Sequence, residues 1–300
     1  MIWTVTLNPS IDHTVWAPDF TEGTVTRAAK ERFYPGGKGV NVAIVARRLG
    51  LPVRALGFTA GFTGRAFLDM IGAEGVDEDF IEVSPGDTRV NVKLKAARES
   101  DINGLGPDIP PDAVELLIGQ LGAVRPGDTL VLAGAVPATA PEDVYALLLA
   151  KVADRGARCV VDATGPALRH ALRHRPFLIK PNAAELADLF GATPTTTDGL
   201  ADLARQAQGL GARNVLVSRA AEGALLVTEQ GDVIEGRSPV GRARNSVGAG
   251  DSMVAGFVAG HEATSDVRHA LKLGLAAGAA TAFSDWLASK ELIDRLMKTI

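Results

Sequence analysis

Residues 245–253, Asn-Ser-Val-Gly-Ala-Gly-Asp-Ser-Met, bring two glycines, an alanine and a carboxylate together just before an apolar run that continues to Gly260. Gly248, Ala249 and Gly250 leave backbone N–H groups unobstructed at a helix start, where the dipole favours a developing negative charge. Asp251 falls in the first turn, so the segment reads as an anion hole with a carboxylate beside it. The same pattern also describes a glycine loop capped by an acidic residue, a common way to begin a helix.

A second glycine-rich stretch, residues 35–41, reads Pro-Gly-Gly-Lys-Gly-Val-Asn. Gly37 admits a ligand close to the backbone, while Lys38 and Asn41 supply polar contacts. It is neither a Walker loop nor a dinucleotide fingerprint: Arg32 stands where a P-loop needs its first glycine, and Gly39 follows Lys38 where Ser or Thr is required. A plain strand-to-helix turn fits the stretch equally well. Asn182 and Glu185 follow an apolar strand and Lys180-Pro181, and their spacing of three places both on one helical face. An amide and a carboxylate so placed suit hydrated Mg²⁺, which needs few protein oxygens. An N-terminal cap answered by Glu at the third helical position explains the pair as well. Asp12 lies where the first strand ends, the side of an open α/β sheet on which ligands bind. No histidine has a partner spacing that supports catalysis or metal binding; His13, His170 and His174 read as structural or solvent-facing.

Short apolar runs alternating with helical patterns must position these residues, and that alternation predicts a mostly parallel sheet flanked by helices. Strands are expected at 2–7, 54–58, 129–133, 159–162, 177–179, 214–218 and 224–227, with helical spacing at 39–49, 141–154 and 200–208. Residues 88–97 break the rhythm with a strict alternation: Val90, Val92, Leu94 and Ala96 share one face, and Arg89, Asn91, Lys93 and Lys95 the other. A second strand-rich stretch at 13–34 lacks a helix too, and the two are expected to pair as a small lid sheet built from roughly 11–34 and 88–105 on a single domain of 1–300. An exposed lid of this kind has edges and an apolar face that a second subunit would cover, which makes a homodimer through the lid an expectation.

The 300 residues suffice for a sizeable core, with 46% hydrophobic and 22% charged side chains. A net charge of −4, from 31 basic and 35 acidic residues, offers no basic excess for a nucleic acid or an anionic membrane. No apolar stretch reaches the ~18 residues of a spanning helix, and no N-terminal targeting pattern is present. Cys159 is the only cysteine, which excludes an intramolecular disulfide and fits a reducing cytoplasm.

Taken in order, these segments closely resemble the PfkB family of carbohydrate kinases related to ribokinase, and within it the 1-phosphofructokinases. The resemblance runs from residues 4–12, Thr-Val-Thr-Leu-Asn-Pro-Ser-Ile-Asp, to 280–284, Ala-Thr-Ala-Phe-Ser, and includes both family signatures, 36–43 and 246–251. It implies a ribokinase-like three-layer α/β/α fold and ATP-dependent phosphorylation of fructose 1-phosphate at its 6-hydroxyl, with Mg²⁺. It also implies that Asp251 is the general base, that Gly248, Ala249 and Gly250 form the anion hole, and that Asn182 with Glu185 organises Mg²⁺ through water. ATP is expected over Lys180, Ser218, Glu222, Gly223 and the loop containing Val247. The sugar is expected at Asp12, Gly37, Lys38, Asn41, Arg89, Asn91 and Lys93, under the lid. Residues 88–94 and 101–107 resemble the 1-phosphofructokinases more than members acting on uncharged sugars. Two positions depart from the family pattern: Ala135, where a serine hydroxyl is usual, and Ala220, where many members have glycine. The alternatives are a kinase of tagatose 6-phosphate or fructose 6-phosphate, and a sugar-phosphate sensor without turnover. A dinucleotide-dependent oxidoreductase is disfavoured because no turn satisfies its fingerprint.

Overall fold

The computed structural model describes residues 1–300. Along the chain the apolar runs become strands and the 3.6-periodic segments helices, in the order β1 (Ile2–Thr6), β2 (Ser10–Trp16), β3 (Lys30–Gly36), α1 (Lys38–Arg48), β4 (Val53–Thr59), α2 (Gly61–Ala73), β5 (Asp77–Glu82), β6 (Arg89–Lys95), β7 (Ser100–Ile102) and α3 (Pro111–Gln120). There follow β8 (Thr129–Ala133), α4 (Val144–Val152), β9 (Arg158–Asp162), α5 (Gly165–Leu172), β10 (Leu178–Ile179), α6 (Ala183–Phe190), α7 (Thr197–Gly209), β11 (Asn214–Ser218), β12 (Ala224–Val227), β13 (Val233–Gly236), α8 (Ala249–Thr264), α9 (Val267–Ala282) and α10 (Lys290–Met297).

Nine strands form one sheet in the order β13-β12-β11-β10-β9-β8-β1-β4-β5. It is parallel from β11 to β5 and turns antiparallel only at β12 and β13. All but its two edge strands are buried on both faces, which is why they read as continuous apolar runs. One face packs on α3 to α7, through residues such as Leu117, Tyr145, Leu168, Leu186 and Ala204. The other packs on α1, α2, α8, α9 and α10, through Val42, Phe67, Phe257, Ala276 and Ile293. This is the expected three-layer α/β/α arrangement of a ribokinase-like fold. The edge strand β5, Asp-Glu-Asp-Phe-Ile-Glu, was not expected, because its carboxylates hide the apolar alternation; such charges suit a sheet edge that must not pair further.

A second sheet, β3-β2-β6-β7, stands apart from the first. β2 runs antiparallel to β3 and parallel to β6, and β6 pairs antiparallel with β7. The strand-rich stretch expected at 13–34 is narrower than that: β2 ends at Trp16 and β3 begins at Lys30, with turns between them. Ala96 likewise lies beyond β6. In β6 the polar face turns toward the main body, with Asn91 buried, while Val90, Phe33 of β3 and Ile102 of β7 are exposed on the outside.

Two helices owe their placement to small residues. A Cβ on Gly256 would stand 2.5 Å from the Leu273 carbonyl oxygen, and one on Gly274 would stand 2.9 Å from that of Met253. Glycine at both positions lets α8 and α9 approach backbone to backbone. The start of α8 is thereby fixed relative to the sheet. No helix is long and apolar enough to cross a membrane.

Candidate active site

A cavity of 980 Å³ opens between the carboxyl ends of the parallel strands and the polar face of the small sheet. Gly248 takes a left-handed conformation (φ +78°), which turns the chain into α8 and aims the first-turn N–H groups at the cavity. The N–H groups of Gly250 and Asp251 have no acceptor within the chain, so the helix start offers free donors to an anion. Asp251 is buried beside them and accepts a 2.7 Å hydrogen bond from Asn41 Nδ2, which α1 brings from 210 residues away in sequence. Burial, and then the negative charge of Asp162, push the Asp251 carboxyl up to about 6, against the pull of Asn41, Lys38 and Lys180.

Lys38 is the first residue of α1, presented by Gly37 at φ +117°. Its Nζ lies 3.1 Å from Asp162 Oδ1, and Lys180 Nζ lies 3.4 Å from Asp162 Oδ2. Burial draws the Lys38 pKa down, but Asp162, Asp251 and Glu185 more than offset it, and the net shift is upward. Lys180 is buried, and its Nζ would stand 3.2 Å from a Cβ on Gly250, so the bare glycine lets the ammonium close on the anion hole. Asp162 was not among the expected site residues. Its signal in the sequence was a carboxylate ending the apolar strand Cys159-Val160-Val161, on the side of the sheet where ligands bind.

On the small-sheet side, Asp12 Oδ1 accepts from Ser10 Oγ and from Asn91 Nδ2, both at 2.8 Å. Asn91 Oδ1 in turn accepts from the Gly104 N–H at 3.1 Å. Arg89 spends only its Nε on the Asn8 carbonyl (3.2 Å), while burial lowers its pKa against the opposing charge of Asp12. Lys93 Nζ donates to Asp101 (2.9 Å) and to Asn103 (3.3 Å), and Asn103 joins the cavity wall. Tyr34 of β3 stacks on Trp286 of the main body with ring centroids 4.8 Å apart, anchoring the sheet beside the cavity.

Lys180, Ser218 and Val247 line the other half of the cavity with Ala220 and Ala221. Pro239, Val240, Ala279, Ala282 and Phe283, none of them expected, supply an apolar wall suited to a flat heterocycle. Glu222 and Gly223 do not line the cavity. Glu222 is solvent-exposed, and a Cβ on Gly223 would stand 2.0 Å from the Gly236 carbonyl, so that glycine serves the packing of β12 on β13.

Asn182 and Glu185 form a reciprocal capping box at the start of α6: Asn182 Oδ1 accepts from the Glu185 N–H and Glu185 Oε2 from the Asn182 N–H, each at 2.8 Å. Both also line the cavity, and the cap leaves Glu185 Oε1 uncommitted. No group of three or more His, Cys, Asp and Glu side chains is gathered as a metal cage. That donor set fits Mg²⁺ held mostly by its own water and by phosphate oxygens.

Residues 5–286 match the model of the pfkB family carbohydrate kinase. The chain is 41% identical to a 1-phosphofructokinase of Bacillus subtilis over 300 residues, covering all of this chain and 98% of that protein. It is 34% identical to a D-tagatose-1-phosphate kinase of Bacillus licheniformis over 301 residues, again covering 100% of this chain and 98% of the relative. Among solved structures, Escherichia coli phosphofructokinase-2 in complex with substrates and products superposes with a TM-score of 0.93 at 28% identity, covering 99% of this chain and 98% of that one.

Proposed function

This chain belongs to the pfkB family of carbohydrate kinases, phosphotransferases with an alcohol group as acceptor and ATP as phosphate donor, and we propose that it phosphorylates fructose 1-phosphate at the 6-hydroxyl, yielding fructose 1,6-bisphosphate and ADP. The observation that carries this reading is the placement of Asp251 and the free N–H groups of α8 between two half-sites. One is polar and cationic, under the small sheet; the other is part apolar, beside Lys180.

In this reading the sugar lies against Asp12, Gly37, Asn41 and Asn91. Arg89 and Lys93 meet its phosphate, with Lys38 beside the attacking hydroxyl; an uncharged sugar would gain little from such cations, whereas a dianion forms charge-assisted bonds. Asp251 takes the proton of the attacking hydroxyl as its oxygen bonds to the γ-phosphorus, and the bond from that phosphorus to the ADP oxygen breaks. Gly248, Ala249 and Gly250 present the backbone donors that stabilise charge on the transferred group. Asn182 and Glu185 would hold a hydrated Mg²⁺, which would supply positive charge to the ATP phosphates. The small sheet serves as a lid that excludes water, which would otherwise compete as acceptor.

Arg89 argues for a phosphorylated ketose without choosing its isomer. The phosphate at carbon 1 follows from the relatives, and those named for D-tagatose 1-phosphate support a second reading, in which that sugar is the acceptor. A coupled assay of ADP release with ATP, Mg²⁺ and a panel of sugars tests both. Fructose 1-phosphate should give the highest kcat/KM; a higher value for tagatose 1-phosphate favours the second reading. Equal or better use of fructose 6-phosphate or tagatose 6-phosphate overturns the isomer assignment, and no ADP release with any sugar favours a sensor.

The outer face of the small sheet exposes Phe33, Val90 and Ile102, a surface suited to a second copy of the chain. We expect a homodimer through these faces; sedimentation of Phe33→Arg as monomer and of the wild type as dimer is the check. A single, half-buried cysteine is in keeping with action in a reducing cytoplasm.

A further inference from the structure

Asp162 closes β9 in the middle of the nine-stranded sheet and is 1% exposed. Each of its oxygens faces an ammonium from a different half of the cavity. Oδ1 accepts a hydrogen bond from Lys38, on the sugar side, at 3.1 Å. Oδ2 lies 3.4 Å from Lys180, on the nucleotide side, and has no hydrogen-bond partner. A buried carboxylate is stable only when paired, and here the pairing is split between two chain segments that approach from α1 and from the end of β10. The open Oδ2 leaves Lys180 held by charge rather than by a directed bond, so its ammonium remains able to turn to a phosphate.

Resting on the kinase reading above, we propose that Asp162 is the positioning residue of the transfer: it ties Lys38 and Lys180 to one carboxylate, so that the phosphoryl group crosses between two ammonium groups of fixed separation. Asp162 also faces the base. Around Asp251 stand Lys38 from α1, Asp162 from β9, Lys180 after β10 and the neutral Asn41; Glu185 of α6 acts on Lys38, and the buried Tyr145 of α4 lies behind Asp162. The negative charge of Asp162 is the second cause, after burial, holding the Asp251 carboxyl up. One residue thus fixes the charge separation and adds to the basicity that burial confers.

Asp162→Asn keeps the shape and removes the charge. KM for ATP and KM for the phosphosugar should both rise about tenfold or more, as expected when one partner of a buried charge pair is lost. The acid limb of kcat against pH should move down by about one unit, because a like charge near Asp251 has gone. A merely structural role would leave that limb in place. Calorimetric binding of ADP and of fructose 1-phosphate, each alone, provides a readout independent of turnover, and both should weaken together. If the wild type binds both ligands but turns over no sugar, the kinase reading fails and the positioning role is still judged by binding. An unmoved acid limb, or weakening of one ligand only, overturns the proposal. Should Asp162→Asn fail to fold, Asp162→Glu serves instead: its longer carboxylate displaces both ammonium groups, so both affinities should fall while the acid limb stays near the wild-type position, and unchanged affinities overturn the proposal.

Discussion

Asp251→Asn should cut turnover sharply and at the same time stabilise the protein. The carboxyl is buried, and its pKa stands at about 6 in the folded chain against an ordinary value of 3.8. The folded state therefore holds a proton between these two values that the unfolded chain has already lost. Stability contributed by this group is complete below pH 3.8 and falls as pH rises, until the carboxyl is ionised in both states above about 6. A gap of roughly two units, at ~1.4 kcal/mol each, places the penalty of the ionised form at about 3 kcal/mol. Asparagine is free of this penalty and still offers an oxygen to Asn41 Nδ2. At pH 7.5 the variant should unfold about 1–3 kcal/mol later than wild type in urea, and the difference should shrink toward zero near pH 4. Turnover at pH 7.5 should drop at least ~10²-fold, with the affinity for fructose 1-phosphate little changed. In the wild type, kcat should fall about tenfold between pH 7 and pH 5 as the base protonates. Equal or lower stability of the variant at pH 7.5 would refute the buried-charge argument, and turnover within a few-fold of wild type would refute the role of base.

Glu185→Gln should raise the Mg²⁺ concentration for half-maximal rate with little change in melting temperature, since glutamine also serves in a capping box; an unchanged Mg²⁺ dependence would leave the pair as a cap only. Arg89→Ala should raise KM for the phosphosugar with a small change in kcat, because phosphate binding is common to ground and transition states; efficient use of free fructose, undiminished in the variant, would remove the phosphate site. Gly256→Ala sets a methyl 2.5 Å from the Leu273 carbonyl oxygen, so it should lower stability by about 1–3 kcal/mol and slow turnover by shifting α8; wild-type melting and rate would show that the interface gives way freely.

What was legible in the sequence was local. The parallel strands announced themselves as apolar runs because both faces of the large sheet are covered, and the alternation of Arg89, Asn91 and Lys93 with Val90, Val92 and Leu94 fixed two faces of one strand. The glycine segments at 35–41 and 245–253 were readable because backbone freedom at a helix start is written in residue type, and the spacing of Asn182 and Glu185 contained the capping box whole. Tertiary structure alone decided which face of β6 looks at the cavity, since the pattern of alternation is the same with either face turned inward. It alone brought Asn41 to Asp251, 210 residues apart, and set Lys38 and Lys180 on the two oxygens of Asp162. The apolar wall of Pro239, Val240, Ala279 and Phe283 carries no local mark, and the mark of Asp162, a carboxylate at a strand end, is an ordinary one until the fold turns it toward the cavity. Conversely, Glu222 and Gly223 fit the expected position in the chain, yet one faces solvent and the other packs against β13, because direction is set by the path of the backbone and not by place in the sequence.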